Sequence, residues 1–356
     1  MNQKYIDFHQ FDNKIEKPIS NEDYCIGEFV KQDKLWMPFL SFPITKSCNF
    51  HCQYCGVGGE NTASMLQYTE VTEIQRIVNI AIQNNIIKFR ITGGEPFTHP
   101  DIVQILRFFK ENGRFTLINT NGSLIKKNTD IINELTKNFR FVVSLDTLKP
   151  ERLRIISKYK NYQDIIDGIH LLKSKDLLMR INTVVSTLNY NEVYDIIDFC
   201  KDLGCDLKLL DIVSVPVPFG KRESIYQDIS ILENDFIHKC DEIYSHEYSR
   251  GFGTPCKRYK FGNVYVTVRN STKGSHYDIK GNSPVCFGCL EFPCHEGLYD
   301  IFALSDGRIC SCRWTEKQKF SDTAKQIEFL INAFKKSVFI KRNNNKNMRI
   351  RNEFIK

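Results

Sequence analysis

Residues 39–55 read FLSFPITKSCNFHCQYC: an apolar run of strand character, a short polar turn, and then Cys48, Cys52 and Cys55 within eight positions. Outward from this stretch the same texture repeats. Strand-like runs are expected at Phe39–Thr45, Ile86–Thr92, Phe115–Thr120, Arg140–Leu145, Leu178–Val185 and Asp206–Asp211. Between them, apolar residues recur at helical spacing: Val71, Ile74, Ile77, Val78, Ala81 and Ile82, then Ile102, Ile105, Leu106 and Phe109, then Ile165, Ile166, Ile169 and Leu172. Six strand–helix units imply a parallel sheet with right-handed crossovers, which suits either an open doubly wound sheet or an incomplete barrel. In both, the end of a strand is where α/β proteins place their chemistry, and the three cysteines stand at the end of the first.

The composition is that of a folded globular chain. Of 356 residues, 42% are hydrophobic and 26% charged, with 19 Gly and 11 Pro, which excludes disordered, collagenous and coiled-coil classes. No eighteen apolar residues run together, and the opening MNQKYIDFHQFDNK has no apolar signal core, so neither a membrane partner nor secretion is expected and the expected compartment is the cytoplasm. Cytoplasmic thiols rarely stay as disulfides, so the clustering of the 13 cysteines points to metal. The net charge of +7 owes part of its excess to the basic stretch Lys335–Lys356, read as a solvated end and not as an arm for nucleic acid, which is not an expected partner.

After Asp211 the texture changes. VSVPVPFGKR is turn-like, Ile229–Tyr244 reads as helix, Gly251–Lys280 as loop and short strand, and Thr323–Lys336 as helix. The expected organisation is a lead-in over 1–35, a strand–helix region over 36–215, a cysteine-rich region over 216–336 and a basic tail over 337–356. Five cysteines, Cys286, Cys289, Cys294, Cys310 and Cys312, fall in the third of these. Three thiolates at Cys48, Cys52 and Cys55 can hold three irons of a cubane and leave the fourth open. Zinc is the alternative at both clusters, with His51 or a distant thiol as fourth ligand at the first and a zinc-ribbon pattern at the second.

The motif Cys-x3-Cys-x2-Cys with Tyr54 before its last cysteine resembles that of the radical S-adenosylmethionine (SAM) superfamily. Further segments resemble the family's in the same order: Thr92-Gly93-Gly94-Glu95-Pro96, Thr120-Asn121-Gly122, Ser144-Leu145-Asp146-Thr147, Asn182-Thr183-Val184-Val185 and Lys208-Leu209-Leu210-Asp211, each at a strand end. The resemblance implies a partial (β/α)6 TIM-like barrel with a C-terminal auxiliary-cluster extension. It implies a [4Fe-4S] cluster on Cys48, Cys52 and Cys55 that binds SAM, with Tyr54, Gly93, Gly94, Glu95, Thr120, Asn121, Ser144 and Asn182 around the cofactor. Glycines 93 and 94 are expected to let backbone approach the ligand, and Glu95 to meet its ammonium. The implied chemistry is reductive cleavage of SAM to a 5′-deoxyadenosyl radical that removes a substrate hydrogen, with the electron coming from a partner such as flavodoxin or ferredoxin.

Within that family the second cluster is similar to Twitch or SPASM auxiliary regions, and Asp306-Gly307-Arg308-Ile309 before Cys310 and Cys312 resembles the last ligand segment of the molybdenum-cofactor GTP cyclase. The resemblance implies a second [4Fe-4S] cluster on Cys286, Cys289, Cys294 and Cys312, with Cys310 as alternative. Departures stand beside it. Arginines that hold the cyclase's triphosphate have Asp300 and Phe302 at their approximate positions, Ser41 replaces another arginine, and the cyclase's terminal Gly-Gly is missing. The expectation is an enzyme acting on a small molecule in a biosynthetic pathway, other than GTP cyclisation. The alternatives are a maturase of a ribosomal peptide and a zinc-stabilised binding protein without catalysis.

Overall fold

The computed structural model describes residues 5–7, 39–55, 68–84, 86, 88–212, 220–246, 256–271, 276–277, 300–304, 309–310, 322–336 and 339–340. In chain order, β1 (Tyr5–Asp7) and β2 (Phe39–Pro43) are followed by alternating elements: α1 (Val71–Gln83), β3 (Lys88–Thr92), α2 (Ile102–Glu111), β4 (Phe115–Thr120), α3 (Thr129–Glu134) and β5 (Phe139–Ser144). The alternation continues through α4 (Pro150–Ser157), α5 (Tyr162–Ser174), β6 (Leu178–Val184), α6 (Val193–Leu203) and β7 (Asp206–Leu210). Then come α7 (Ser230–Lys239), β8 (Glu242–His246), β9 (Cys256–Phe261), β10 (Val264–Arg269), β11 (His276–Tyr277), β12 (Asp300–Ala303), β13 (Ile309–Cys310), α8 (Thr323–Lys336) and β14 (Phe339–Ile340).

Strands β2 to β7 lie side by side in their order along the chain, all parallel. A doubly wound sheet reverses its strand order at a switch point; this one does not, so the six units form the partial barrel. The sheet continues past both edges, with β10 parallel to β7 and β12 parallel to β2. Among the described residues, no helix is long and apolar enough to cross a membrane.

The helices form where the sequence has an apolar stripe to bury. In α1, Val71, Ile74, Ile77, Val78 and Ala81 are buried against the sheet, and each Val or Ile so covered contributes about 1.5–3 kcal/mol. Pro150 opens α4 at a position where its missing N–H costs nothing. Gly204, with φ of 62°, closes α6 in the left-handed conformation that glycine adopts without strain.

Alternation along the strands gives the barrel two different faces. One carries Leu40, Phe42, Phe89, Ile91, Ile118, Phe141, Ile181 and Leu207, all buried in one continuous core with the helices. The other begins with an apolar floor of Phe39, Leu117 and Val142. Two residues further along the same strands stand Ser41, Asn119 and Ser144, and Ser144 is in register with Asn182, which is in register with Lys208. The inner face therefore carries an apolar patch near its base, with Arg90 in register with Leu117 and Arg180 with Val142, and hydroxyl and amide side chains towards the strand ends.

Asp300 holds β12 to the barrel. It is 2% exposed, its Oδ2 accepts the Ser41 hydroxyl at 2.9 Å, and the Arg90 guanidinium pairs with the same oxygen. One sequence expectation is corrected here: Ile229–Tyr244 is not one helix. The helix stops at Lys239, and Glu242–His246 runs antiparallel to β9, with Glu242 opposite Lys260. Pairing with neighbouring strands overrides the local pattern. Cys286, Cys289, Cys294 and Cys312 lie outside the described residues, while Cys310 is on β13, opposite Phe302 and on the face of Ser41.

Candidate active site

The cysteine loop leaves β2 pressed against the segment that follows β3. Gly94 N–H donates to Thr45 O at 2.7 Å and Glu95 N–H to Ser47 O at 2.8 Å. A Cβ on Gly93 would lie 2.4 Å from Thr45 O, and one on Gly94 would lie 2.0 Å from Ser47 O. Both glycines are thus required by contact between two chain segments, and the partner is some fifty residues away and gives no local sign.

On its other side the loop is fastened to α4. His51 N–H donates to Ser157 O at 2.8 Å, Gln53 N–H to Ile156 O at 2.9 Å and Gln53 Nε2 to Ile155 O at 2.7 Å. The last carbonyls of a helix have no partner within it. Here the cysteine loop supplies three, and Phe50 stacks on Tyr159 with ring centroids 4.4 Å apart.

Glu95, Thr120 and Asn121, three of the expected cofactor residues, come together in one hydrogen-bond system. The Glu95 carboxylate is fully buried and accepts from Phe97 N–H at 3.1 Å, Thr120 Oγ1 at 2.8 Å and Asn121 N–H at 2.7 Å. Two carboxylate oxygens offer roughly four acceptor positions, so about one remains for a ligand donor. Burial holds its pKa up at about 7 despite these three donors. The Asn121 side chain donates to Asn49 Oδ1 at 2.8 Å, and Asn49 donates to Ser123 Oγ at 2.9 Å, so the end of β4 is tied to the cysteine loop.

A second tie joins the loop to β5 and β6. The Tyr54 hydroxyl donates to Asp146 Oδ2, Val184 N–H donates to Asp146 Oδ1 at 2.9 Å, and the Asn189 amide donates to Asp146 O at 2.7 Å. Burial raises Asp146 to about 6 and lifts Tyr54 well above its ordinary value. Sequence reasoning quoted Asp146 within its strand-end segment without singling it out, and passed over Asn49; a carboxylate just past an apolar strand was the available signal. Ser144 and Asn182, side by side in register, sit at the mouth, Ser144 exposed and Asn182 half-buried with its Oδ1 accepting Arg180 Nε at 2.8 Å.

Cys48, Cys52 and Cys55 form no disulfide among the described residues and are half-buried. Burial pushes the Cys48 thiol up to about 12, and burial followed by the nearby Asp146 charge raises Cys52 well above its ordinary value. Such thiols ionise when a metal takes the proton's place. Among the described residues, no three His, Cys, Asp or Glu side chains converge to hold a single metal ion, and His51 is exposed. The donor set fits a cluster with three protein ligands.

Residues 42–200 match the radical SAM superfamily. The probable GTP 3′,8-cyclase of Methanocaldococcus jannaschii is 28% identical over 211 residues, covering 59% of this chain and 69% of that protein. The GTP 3′,8-cyclase of Aquifex aeolicus is 26% identical over 301 residues, covering 80% of this chain and 85% of that protein. The crystal structure of Streptococcus suis SuiB bound to S-adenosylmethionine shares the fold, with a TM-score of 0.59 at 19% identity over 86% of this chain and 68% of that one. The family's cofactor is a [4Fe-4S] cluster with SAM. Six parallel strands in sequential order, the cysteine loop at their mouth and the match over 42–200 agree: the chain is an enzyme that carries a radical SAM domain.

Proposed function

We propose that this enzyme cleaves SAM reductively and uses the 5′-deoxyadenosyl radical to take hydrogen from a small-molecule substrate other than GTP. The observation that carries the reading is the convergence on one cysteine loop of three strand ends, through Glu95, Asn121 and Asp146. Cys48, Cys52 and Cys55 hold three irons, and the bound cluster with SAM supplies the electron and the radical. Around it the chain's own residues bind and orient. Glu95 has about one acceptor position left for the methionine ammonium, Gly93 and Gly94 set the distance between that carboxylate and the loop, and Thr120 and Asn121 fix its two oxygens. Tyr54, Ser144 and Asn182 complete the cofactor's surroundings, and the apolar floor at Phe39, Leu117 and Val142 excludes water from below.

The preference for a substrate other than GTP rests on Asp300. Where the resemblance would put triphosphate-binding arginines, Ser41 and Asp300 are joined to each other and to Arg90 in a buried cluster. Neither Ser41 nor Asp300 offers a cation to a polyphosphate, and Arg90 is engaged by Asp300. Cys286, Cys289, Cys294 and Cys312, with Cys310 as alternative, hold a second [4Fe-4S] cluster in this reading. An electron carrier of the flavodoxin or ferredoxin class and a cytoplasmic setting belong to the same proposal.

The test is anaerobic reconstitution with iron and sulfide, followed by measurement of 5′-deoxyadenosine under dithionite. Formation of 5′-deoxyadenosine that is abolished when Cys48, Cys52 and Cys55 are all replaced by Ala bears the reading out. Undiminished product in that variant overturns it, and consumption of GTP overturns the exclusion of GTP.

A further inference from the structure

Among the described residues, two large apolar side chains are more than half exposed, Ile155 at 55% and Ile231 at 51%. Ile155 lies in the last turn of α4, where its own carbonyl accepts the Gln53 side chain and the next two carbonyls accept the backbone of Gln53 and His51. It is therefore one hydrogen bond from the loop that carries Cys52 and Cys55. The surface around it is basic. Lys149, Arg154, Lys158 and Lys160 are exposed and make no ion pair among the described residues, whereas Arg152 is already neutralised by Glu192. Glu151 is the one exposed carboxylate in the same twelve-residue stretch, 149–160.

An exposed apolar anchor ringed by uncompensated cations is the complement of an acidic protein surface with an apolar centre. The place decides which acidic protein. A carrier seated here lies against carbonyls that are hydrogen-bonded to Gln53 and His51, in the loop that carries Cys52 and Cys55, and so has a route to the thiolates through that loop. We propose that the C-terminal turn of α4, centred on Ile155 with Arg154, Lys158 and Lys160, is the docking face for a small acidic one-electron carrier protein. This rests on the reading of Cys48, Cys52 and Cys55 as cluster ligands. One electron leaves the reduced carrier, which is oxidised by one, and enters the cluster, which is reduced by one; no bond forms or breaks in that step. The contact is of the small, salt-sensitive kind used by transient redox pairs.

The experiment uses the reconstituted holoenzyme and a reduced [2Fe-2S] ferredoxin of acidic surface. Two variants are compared with the parent: Arg154→Glu with Lys158→Glu and Lys160→Glu, and Ile155→Ser alone, which keeps the carbonyl that Gln53 uses. Binding is read by titration at low and high salt, and reduction by loss of the cluster's visible absorption on mixing. We expect at least tenfold weaker binding and at least tenfold slower reduction by ferredoxin in both variants, with high salt weakening the parent in the same sense. Dithionite, which needs no docking, is expected to bleach the cluster and drive SAM cleavage equally in all three proteins. Unchanged binding and reduction by ferredoxin in the variants overturns the proposal, as does an equal loss with dithionite, which would show that the face acts only by supporting the loop. Failure of the parent itself to cleave SAM with dithionite would instead overturn the underlying reading of the cysteines, and the docking face with it.

Discussion

The Tyr54 hydroxyl and the Asp146 carboxylate bind each other across the barrel mouth, joining the cysteine loop to the end of β5, and the other carboxylate oxygen is held by Val184 N–H of β6. Three elements meet at this one acid. Asp146 is 7% exposed, so removing the hydroxyl leaves a buried acceptor without its donor, at a cost of about 1–3 kcal/mol. Tyr54→Phe is expected to lower the melting temperature of the iron-free chain and to weaken SAM binding to the reconstituted enzyme about tenfold. Asp146→Asn keeps one acceptor oxygen for Val184 N–H and turns the other position into a donor that the Tyr54 hydroxyl oxygen can accept, so it is expected to fall between parent and Tyr54→Phe. Thermal unfolding and equilibrium binding of SAM check both. Indistinguishable affinity in Tyr54→Phe would mean that the hydroxyl serves the loop alone.

Glu95 gives a pH dependence whose sign is fixed. Burial raises its pKa from 4.5 to about 7, so the folded chain holds a proton that the unfolded chain has lost across that interval. A raised pKa contributes stability fully present below about 4.5 and lost as pH climbs through about 7. The contribution is on the order of 3 kcal/mol for a fully buried group. The iron-free chain should therefore lose this increment on going from mildly acidic to neutral pH, and Glu95→Gln should lose the dependence. An ammonium partner favours the ionised form, so SAM should bind more tightly as pH rises through the same interval. In Glu95→Gln we expect at least tenfold weaker SAM binding with iron content unchanged, because breaking a desolvated charge pair typically costs about 2–5 kcal/mol. Equal affinity would show that the amino group is held elsewhere.

Gly94→Ala tests the contact between the two segments. Its Cβ would meet Ser47 O at 2.0 Å, a backbone atom that cannot swing aside, so the root of the cysteine loop must move. The expected outcome is a chain with parental far-ultraviolet circular dichroism that retains little iron at the first cluster on reconstitution. Full iron loading would show that the loop tolerates the shift.

How much of this was legible follows from the distance over which each feature is decided. The six strands and their helices were readable because burial imposes a period on neighbouring residues, as in Val71, Ile74, Ile77 and Val78. The choice between open sheet and barrel depends on strand order, which periodicity does not carry. Gly93 and Gly94 were visible as a motif, but their reason lies at Thr45 and Ser47. Asp146 was passed over in favour of Ser144, two residues before it, because its partner Tyr54 stands 92 positions away. The segment Glu242–His246 looked helical, but it lies between β1 and β9 in the sheet, and a strand is defined by what it pairs with.

The last prediction concerns the second cluster. Cys286, Cys289, Cys294 and Cys312 suffice for the four irons of a cubane, and Cys310 stands on β13, on the face of the sheet that also carries Ser41. A cubane closed by four thiolates has no vacant iron, so the substrate must be held by side chains at the barrel mouth, and the second cluster then serves electron transfer or substrate positioning. The variant with Cys48, Cys52 and Cys55 replaced by Ala should accordingly retain about four irons per chain and an absorption spectrum that SAM does not perturb. Cys310→Ala should keep that iron, while Cys312→Ala should lose it; the reverse pattern would make Cys310 the fourth ligand. Hyperfine spectroscopy with isotope-labelled substrate is expected to show no coupling to this cluster. A substrate atom bonded to one of its irons, or zinc without iron at these cysteines, would refute the assignment.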